Sequence, residues 1–308
     1  MNVFSQVGRK LSARLAALAP QVEVIEIPAA GPLPEDSTAE VLLTQTWGCA
    51  NMEEVLRHGV RWVHTLGTGV DRFPFAALGD RVLTCSRGAS AIPIAEYVLA
   101  AVLAFEKQIP ETWMCAAPAQ WYGARLGGLY RRVLGLIGLG SIGLAVAERA
   151  LAFGMDVRAV RRSAAPSPLA GVSLVASPLA LARDSDHLVV AASATAETRH
   201  LIDDALLAAV KPGVHLVNVA RGSLIDQDAL RRALDDGRVA CASLDTMTPE
   251  PLPAGHWLYT HPRVRLTPHV SWSMPGATEL LLDKFVANLH RYRAGESLEN
   301  VVDPRRGY

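Results

Sequence analysis

The sequence lacks a net charge, since thirty Lys and Arg side chains balance thirty Asp and Glu. With no excess of either sign, nothing draws the chain to nucleic acid or to an anionic membrane surface, and a small-molecule partner is expected instead. Cysteine is scarce. Cys49, Cys85, Cys115 and Cys241 stand apart, with no CxxC spacing and no histidine cluster placed for zinc. They read as free or buried thiols in a reducing cytosol, and no metal site is expected. Long apolar runs are missing too: no segment approaches about eighteen uninterrupted apolar residues, and residues 1–10 carry no basic stretch followed by an apolar one. The expectation is a cytoplasmic chain with neither a leader nor a membrane span. Repeats and low-complexity tracts are absent, and residues 163–168, rich in Pro, Ser and Ala, read as a surface loop.

What is present is apolar bulk. Half of the 308 residues are hydrophobic, enough for a large core and, by length, for two domains. Short β-rich runs at 22–27, 41–43, 62–66 and 82–84 alternate with helical stretches at 11–18 and 52–58, the pattern of a small α/β unit. An apolar helix over 94–105, after Pro93, is placed to bridge to a second domain. Residues 132–137, 141–153 and 157–160 then read as strand, helix, strand. Further strands at 188–191, 214–219, 240–244 and 264–266 predict a parallel, doubly wound sheet. A last amphipathic helix over 278–292, with Leu281, Phe285 and Leu289 on one face, is expected back on the first domain. The predicted fold is therefore a Rossmann domain over 95–275 and a smaller, discontinuous, flavodoxin-like α/β domain over 1–94 and 276–308.

Gly138, Gly140 and Gly143 form GxGxxG, with Ser141 and Ile142 between the last two, directly after one predicted strand and at the mouth of a helix. That context is the dinucleotide-binding one: the first glycine permits a tight turn, the second admits a pyrophosphate, the third lets the helix pack closely. Phosphate would lie on the helix N-terminus. After the next strand, where an acid commonly binds the ribose of NAD, the chain has Arg161, Arg162 and Ser163. Two guanidinium groups and a hydroxyl suit a 2′-phosphate, so NADP(H) is expected to be preferred and NAD(H) to remain usable.

Three later blocks, VNVARGSLID at 217–226, LDTMTPEPLP at 244–253 and LTPHVSW at 266–272, put Arg221, Glu250 and His269 in loops after successive strands. With GLGSIG and the earlier LGTGVD at 66–71, they closely resemble the D-isomer-specific 2-hydroxyacid dehydrogenases, over about residues 61–302. The resemblance implies an NAD(P)H-dependent reduction of a small 2-oxo acid, such as glyoxylate or hydroxypyruvate, to the D-2-hydroxy acid. It further implies an active site in the cleft between the two domains, and a homodimer. Arg221 would grip the substrate, His269 would be the acid and base, and Glu250 its paired carboxylate. The chemistry agrees, because a guanidinium fork can hold a carboxylate and a ketone oxygen together. A histidine delivering a proton must be charged, and a neighbouring carboxylate favours that form.

By the same resemblance, backbone N–H groups of Gly67, Thr68 and Gly69 would hold the substrate carboxylate, and Asp245 would face the nicotinamide carboxamide. Trp47 and Trp272 are candidates for the pocket wall. The chain departs from the family in carrying Asp245-Thr246 where Asp-Val is usual and Ser193 where a proline is common. The family's formate dehydrogenases carry glutamine at the position of Glu250, which argues against that activity. One rival is a dinucleotide-sensing regulatory protein of the same fold, like the family's corepressors, but no basic arm or disordered tail accompanies it here. The other eight histidines, among them His64, His187 and His215, match no family role and read as structural or surface residues.

Overall fold

The structure, a computed structural model, describes residues 1–123, 125–163 and 165–308. Its elements in chain order are β1 (Asn2–Ser5), α1 (Arg9–Leu18), β2 (Glu23–Glu26), β3 (Val41–Thr44), α2 (Met52–Arg57), β4 (Trp62–Thr65), α3 (Phe75–Leu78), β5 (Val82–Cys85) and α4 (Ala91–Lys107). There follow β6 (Val133–Ile137), α5 (Ser141–Ala152), β7 (Asp156–Val160), β8 (Val172–Leu174), α6 (Pro178–Asp184), β9 (His187–Val190), α7 (Asp204–Ala209) and β10 (Val214–Asn218). The chain closes with α8 (Gln227–Asp235), β11 (Val239–Leu244), β12 (Val264–Leu266) and α9 (Ala277–Ala294). They form two compact units, residues 1–90 with 274–308, and residues 91–273.

The first unit holds a five-stranded parallel sheet in the order β2-β1-β3-β4-β5, the flavodoxin-like arrangement. Alternate strand residues face opposite sides. Phe4, Leu42 and Val63 pack on α2 and α3, while Val3, Val41, Leu43 and Trp62 pack on α1 and α9. Trp62 stacks on Phe285 with ring centroids 5.3 Å apart, which fixes α9 in this unit. His64, wholly buried beside them, bonds Thr84 and Ser86; burial lowers its pKa to about 3, so it is a neutral core residue.

The second unit holds seven parallel strands in the order β12-β11-β10-β9-β6-β7-β8. Read from β8, this is the doubly wound Rossmann order with one added strand, and its direction of winding reverses between β6 and β9. One face is covered by α4 and α5 and the other by α6, α7 and α8. Side-chain caps begin the last three helices: Ser177 accepts from the Ala180 N–H, Asp203 from Leu206, and Asp226 from Asp228 and Ala229. Helix α4 starts at Ala91, earlier than the expected 94, because Pro93 falls in the first turn, where its missing N–H costs no intrahelical bond. Strands β1 and β8, four and three residues long, were not foreseen. The loop expected at 163–168 contains Ala164, which lies outside the described residues; Ser163, Ala165 and Pro168 are bends. Among the described residues, no helix is long and apolar enough to cross a membrane, and no three His, Cys, Asp or Glu side chains converge as a metal cluster. Cys49, Cys85, Cys115 and Cys241 are all free thiols.

Candidate active site

At the point where the second sheet reverses direction, the glycine-rich turn joins β6 to α5. Gly138 has φ +104°, and a Cβ there would meet the Ala191 and Ala192 backbone at 2.8 Å, so only glycine allows β6 and β9 to meet this way. Gly143 is equally constrained, since its Cβ would lie 2.2 Å from the Gly138 carbonyl oxygen. Gly140 faces open space. Nothing lies within 4 Å of a Cβ built on it, and as N-cap of the twelve-residue α5 it offers no side chain to the first N–H groups. An open cradle lined by uncapped donors at a helix N-terminus fits a dinucleotide pyrophosphate.

Beyond the end of β7, Arg161 and Arg162 are followed by Ser163. Arg161 donates from Nη1 to the Pro166 carbonyl at 3.2 Å, and Arg162 lies 3.7 Å from Glu197 with both side chains more than half exposed. These are loose, screened contacts that a phosphate dianion could displace. Ser163 Oγ accepts from the Ala165 N–H at 3.2 Å.

The expected catalytic residues come together around the carboxyl ends of β10, β11 and β12. His269 Nδ1 lies 2.9 Å from Glu250 Oε2. The other oxygen, Oε1, accepts from the Met247 N–H at 3.0 Å, so the carboxylate is held on both sides. Burial alone would raise the Glu250 pKa, but the hydrogen bonds from His269 and Met247, with the charges of His269 and Arg221, outweigh it and hold it below its ordinary value. His269 Nε2 is thereby left as the nitrogen that can exchange a proton with a ligand. Trp272 donates from Nε1 to the His269 carbonyl at 3.0 Å and lies beside it.

Arg221 is placed by Asn218, a residue the sequence reading did not single out. Buried at the end of β10, Asn218 donates from Nδ2 to the Arg221 carbonyl at 3.0 Å and accepts from the Ala220 N–H at 3.1 Å. The next residue, Gly222, packs so tightly that a Cβ on it would fall 2.0 Å from the Met247 carbonyl carbon. The backbone after Arg221 thus touches the backbone that holds Glu250.

The surroundings of two further expected residues are defined. Asp245 is wholly buried, and its carboxylate accepts from Thr267 Oγ1 at 2.6 Å, the Val270 N–H at 2.8 Å and the Ser271 N–H at 3.0 Å. It holds the turn that carries His269. Gly67, in the first unit, spends its N–H on the Thr65 carbonyl at 2.8 Å, which leaves the expected carboxylate contacts to Thr68 and Gly69. Trp47, also in the first unit, is 59% exposed and packs in no core.

Thr246, standing where the family usually has valine, is buried with no partner for its hydroxyl among the described residues. Thr246→Val should raise the unfolding free energy by about 1 to 3 kcal/mol, because an orphaned buried hydroxyl is replaced by a methyl of similar shape. Denaturant titration of the two proteins checks this, and a variant no more stable than the parent would show that the hydroxyl is satisfied in solution.

The NAD binding domain model of the D-isomer specific 2-hydroxyacid dehydrogenases matches residues 99–271. Glyoxylate/hydroxypyruvate reductase A of Serratia proteamaculans is 31% identical, over 82% of this chain and 83% of its own. Glyoxylate/hydroxypyruvate reductase B of Pectobacterium atrosepticum is 30% identical over 98% and 97% of the two chains. Among solved structures, a D-isomer specific 2-hydroxyacid dehydrogenase from Xanthobacter autotrophicus Py2, in complex with NADPH and MES, superposes with a TM-score of 0.85 at 30% identity, covering 100% of this chain and 99% of that one. With the glycine cradle at the switch point of a Rossmann sheet, these likenesses make the chain an oxidoreductase that belongs to the D-isomer specific 2-hydroxyacid dehydrogenase family.

Proposed function

We propose that this enzyme reduces a small 2-oxo acid of the glyoxylate or hydroxypyruvate kind to its D-2-hydroxy acid, with NADP(H) preferred over NAD(H). The observation that carries the reading is the 2.9 Å Glu250–His269 pair, held by the same backbone contact that places Arg221. Gly138, Gly140, Ser141, Ile142 and Gly143 would cradle the pyrophosphate, while Arg161, Arg162 and Ser163 would receive the 2′-phosphate. When bound, the dinucleotide supplies the hydride. Arg221 holds the carboxylate and ketone oxygen of the substrate in its fork and stabilises negative charge developing on that oxygen. His269 passes the proton on Nε2 to the same oxygen and ends neutral, its Nδ1–H still directed at Glu250. Thr68 and Gly69 are proposed to bind the substrate carboxylate from the first unit, and Trp272 to wall the pocket beside His269.

The test is the absorbance change of the nicotinamide band with glyoxylate, hydroxypyruvate and a series of bulkier 2-oxo acids. Turnover should be best with the small members; no turnover with any of them overturns the proposal. In the same assay NADPH should show a kcat/KM at least about tenfold above NADH, since charge-assisted bonds to a phosphate contribute on the order of 1.5 to 3 kcal/mol. Equal efficiencies would mean that Arg162 stays with Glu197. A cytoplasmic homodimer is proposed as well. Trp113, Trp121, Tyr122 and Tyr130, between α4 and β6, are all more than half exposed, a concentration of apolar surface that a second copy of this chain would cover. Sedimentation velocity decides it, and a monomer at micromolar concentration speaks against it.

A further inference from the structure

His269 has φ +55°, a left-handed backbone that a residue other than glycine holds only when its surroundings impose it. The restraints can be traced. Its N–H is shared between the Asp245 carbonyl at 2.9 Å and the Thr267 carbonyl at 3.0 Å. The next two N–H groups, of Val270 and Ser271, end on the two oxygens of the Asp245 carboxylate. Asp245 is therefore the post to which the whole turn is tied.

Asp245 is in turn tied to something outside the turn. Thr267 Oγ1 donates its proton to Asp245 Oδ1, and the Tyr97 hydroxyl lies 2.6 Å from that same Oγ1. A threonine hydroxyl has one proton, so Tyr97 must be the donor of the second bond. The chain of donors runs one way, from Tyr97 O–H to Thr267 Oγ1 to the carboxylate. Tyr97 sits on α4, the first element of the second unit, 170 residues away in sequence from Thr267. The helix is fixed by Ile94, Val98 and Val102, all buried in the core against α5 and the sheet. Burial and the charge of Asp245 raise the Tyr97 pKa against the opposing bond to Thr267, so the phenol keeps its proton.

We propose that Tyr97 is a positioning residue for proton delivery, fixing the turn of His269 to the rigid helix α4 through Thr267 and Asp245. The proposal rests on the reading of His269 as the proton donor. A side chain packed only to fill the core would act through its ring, whereas this role belongs to the hydroxyl.

Tyr97→Phe keeps the ring and removes the donor. Its kcat for the best 2-oxo acid should fall about three- to tenfold while the Kd for NADPH, read by fluorescence titration, stays unchanged. Hydrogen exchange in peptides covering residues 267–272, followed by mass spectrometry, should quicken about tenfold. Thr267→Val breaks the same chain one bond further on, and the double variant should be no slower than Thr267→Val alone, because both changes cut one connection. Thr267→Val also stands in should the Phe variant fail to fold. A Tyr97→Phe protein with native kcat, or with native exchange over 267–272, overturns the proposal, as do losses that multiply in the double variant. His269→Ala separates the two layers. If that variant is inactive and Tyr97→Phe is native, only the anchoring role falls; if His269→Ala keeps its rate, the proton-donor reading falls and the exchange data still judge the anchor.

Discussion

His269→Ala should lower kcat/KM for reduction at least about a hundredfold, with NADPH binding retained. The figure is the usual contribution of a positioned general acid, and the two side chains bonded to His269 do not substitute for it: Glu250 offers only acceptor oxygens, and the Trp272 N–H is spent on the His269 carbonyl. The pH dependence carries a second signature. Reduction consumes a proton, so kcat/KM should fall as pH rises. Burial would raise the Glu250 pKa, but the bonds from His269 and Met247 hold it below its ordinary value, so the carboxylate beside Nδ1 stays charged. Glu250→Gln keeps the shape and removes that charge, so kcat/KM should fall. Profiles of kcat/KM for the parent and both variants are the measurement. A near-native Ala variant would remove His269 from the chemistry, and a near-native Gln variant would reduce Glu250 to a structural neighbour.

Arg221→Lys should cost about a hundredfold or more in kcat/KM for the 2-oxo acid and almost nothing in cofactor affinity. An ammonium keeps the positive charge but loses the planar fork, so it can stabilise the ketone oxygen or hold the carboxylate, not both in one geometry. The loop itself should survive the change, because Asn218 fixes it through the Arg221 carbonyl and the Ala220 N–H, beside the bond of 2.8 Å that the guanidinium gives to the Ala220 carbonyl. Steady-state kinetics beside fluorescence titration separate the effects. Near-native efficiency would mean that Arg221 does not clamp the substrate, and a matching loss of NADPH affinity would mean that the loop has moved.

The sequence was most legible where chemistry is local. The glycines of 138–143 announce their turn through their spacing directly after a strand and before a helix, and Arg221, Glu250 and His269 stood out through the blocks that resemble the family, in loops that close successive parallel strands. Strands β1 and β8, Asn2–Ser5 and Val172–Leu174, were passed over although a run as short as Val264–Leu266 was recognised. The task of Asp245 escaped as well. Its partners lie 22, 25 and 26 residues along the chain, and whether a carboxylate faces a ligand or a backbone turn is decided by folding that no local pattern encodes. Tyr97 is the extreme case: in the sequence it is one aromatic residue on an apolar helix, and only the tertiary fold brings its hydroxyl to Thr267.

The contact between Gly222 and Met247 has a mechanical consequence. Where backbone meets backbone with no side chain between, there is no compliant layer to absorb displacement. The segment bearing the guanidinium and the segment bearing the carboxylate must then travel together, like two gear teeth in mesh. On the proposed mechanism, a displacement of Arg221 would be passed through this contact to Glu250, whereas the turn that carries His269 stays tied to α4.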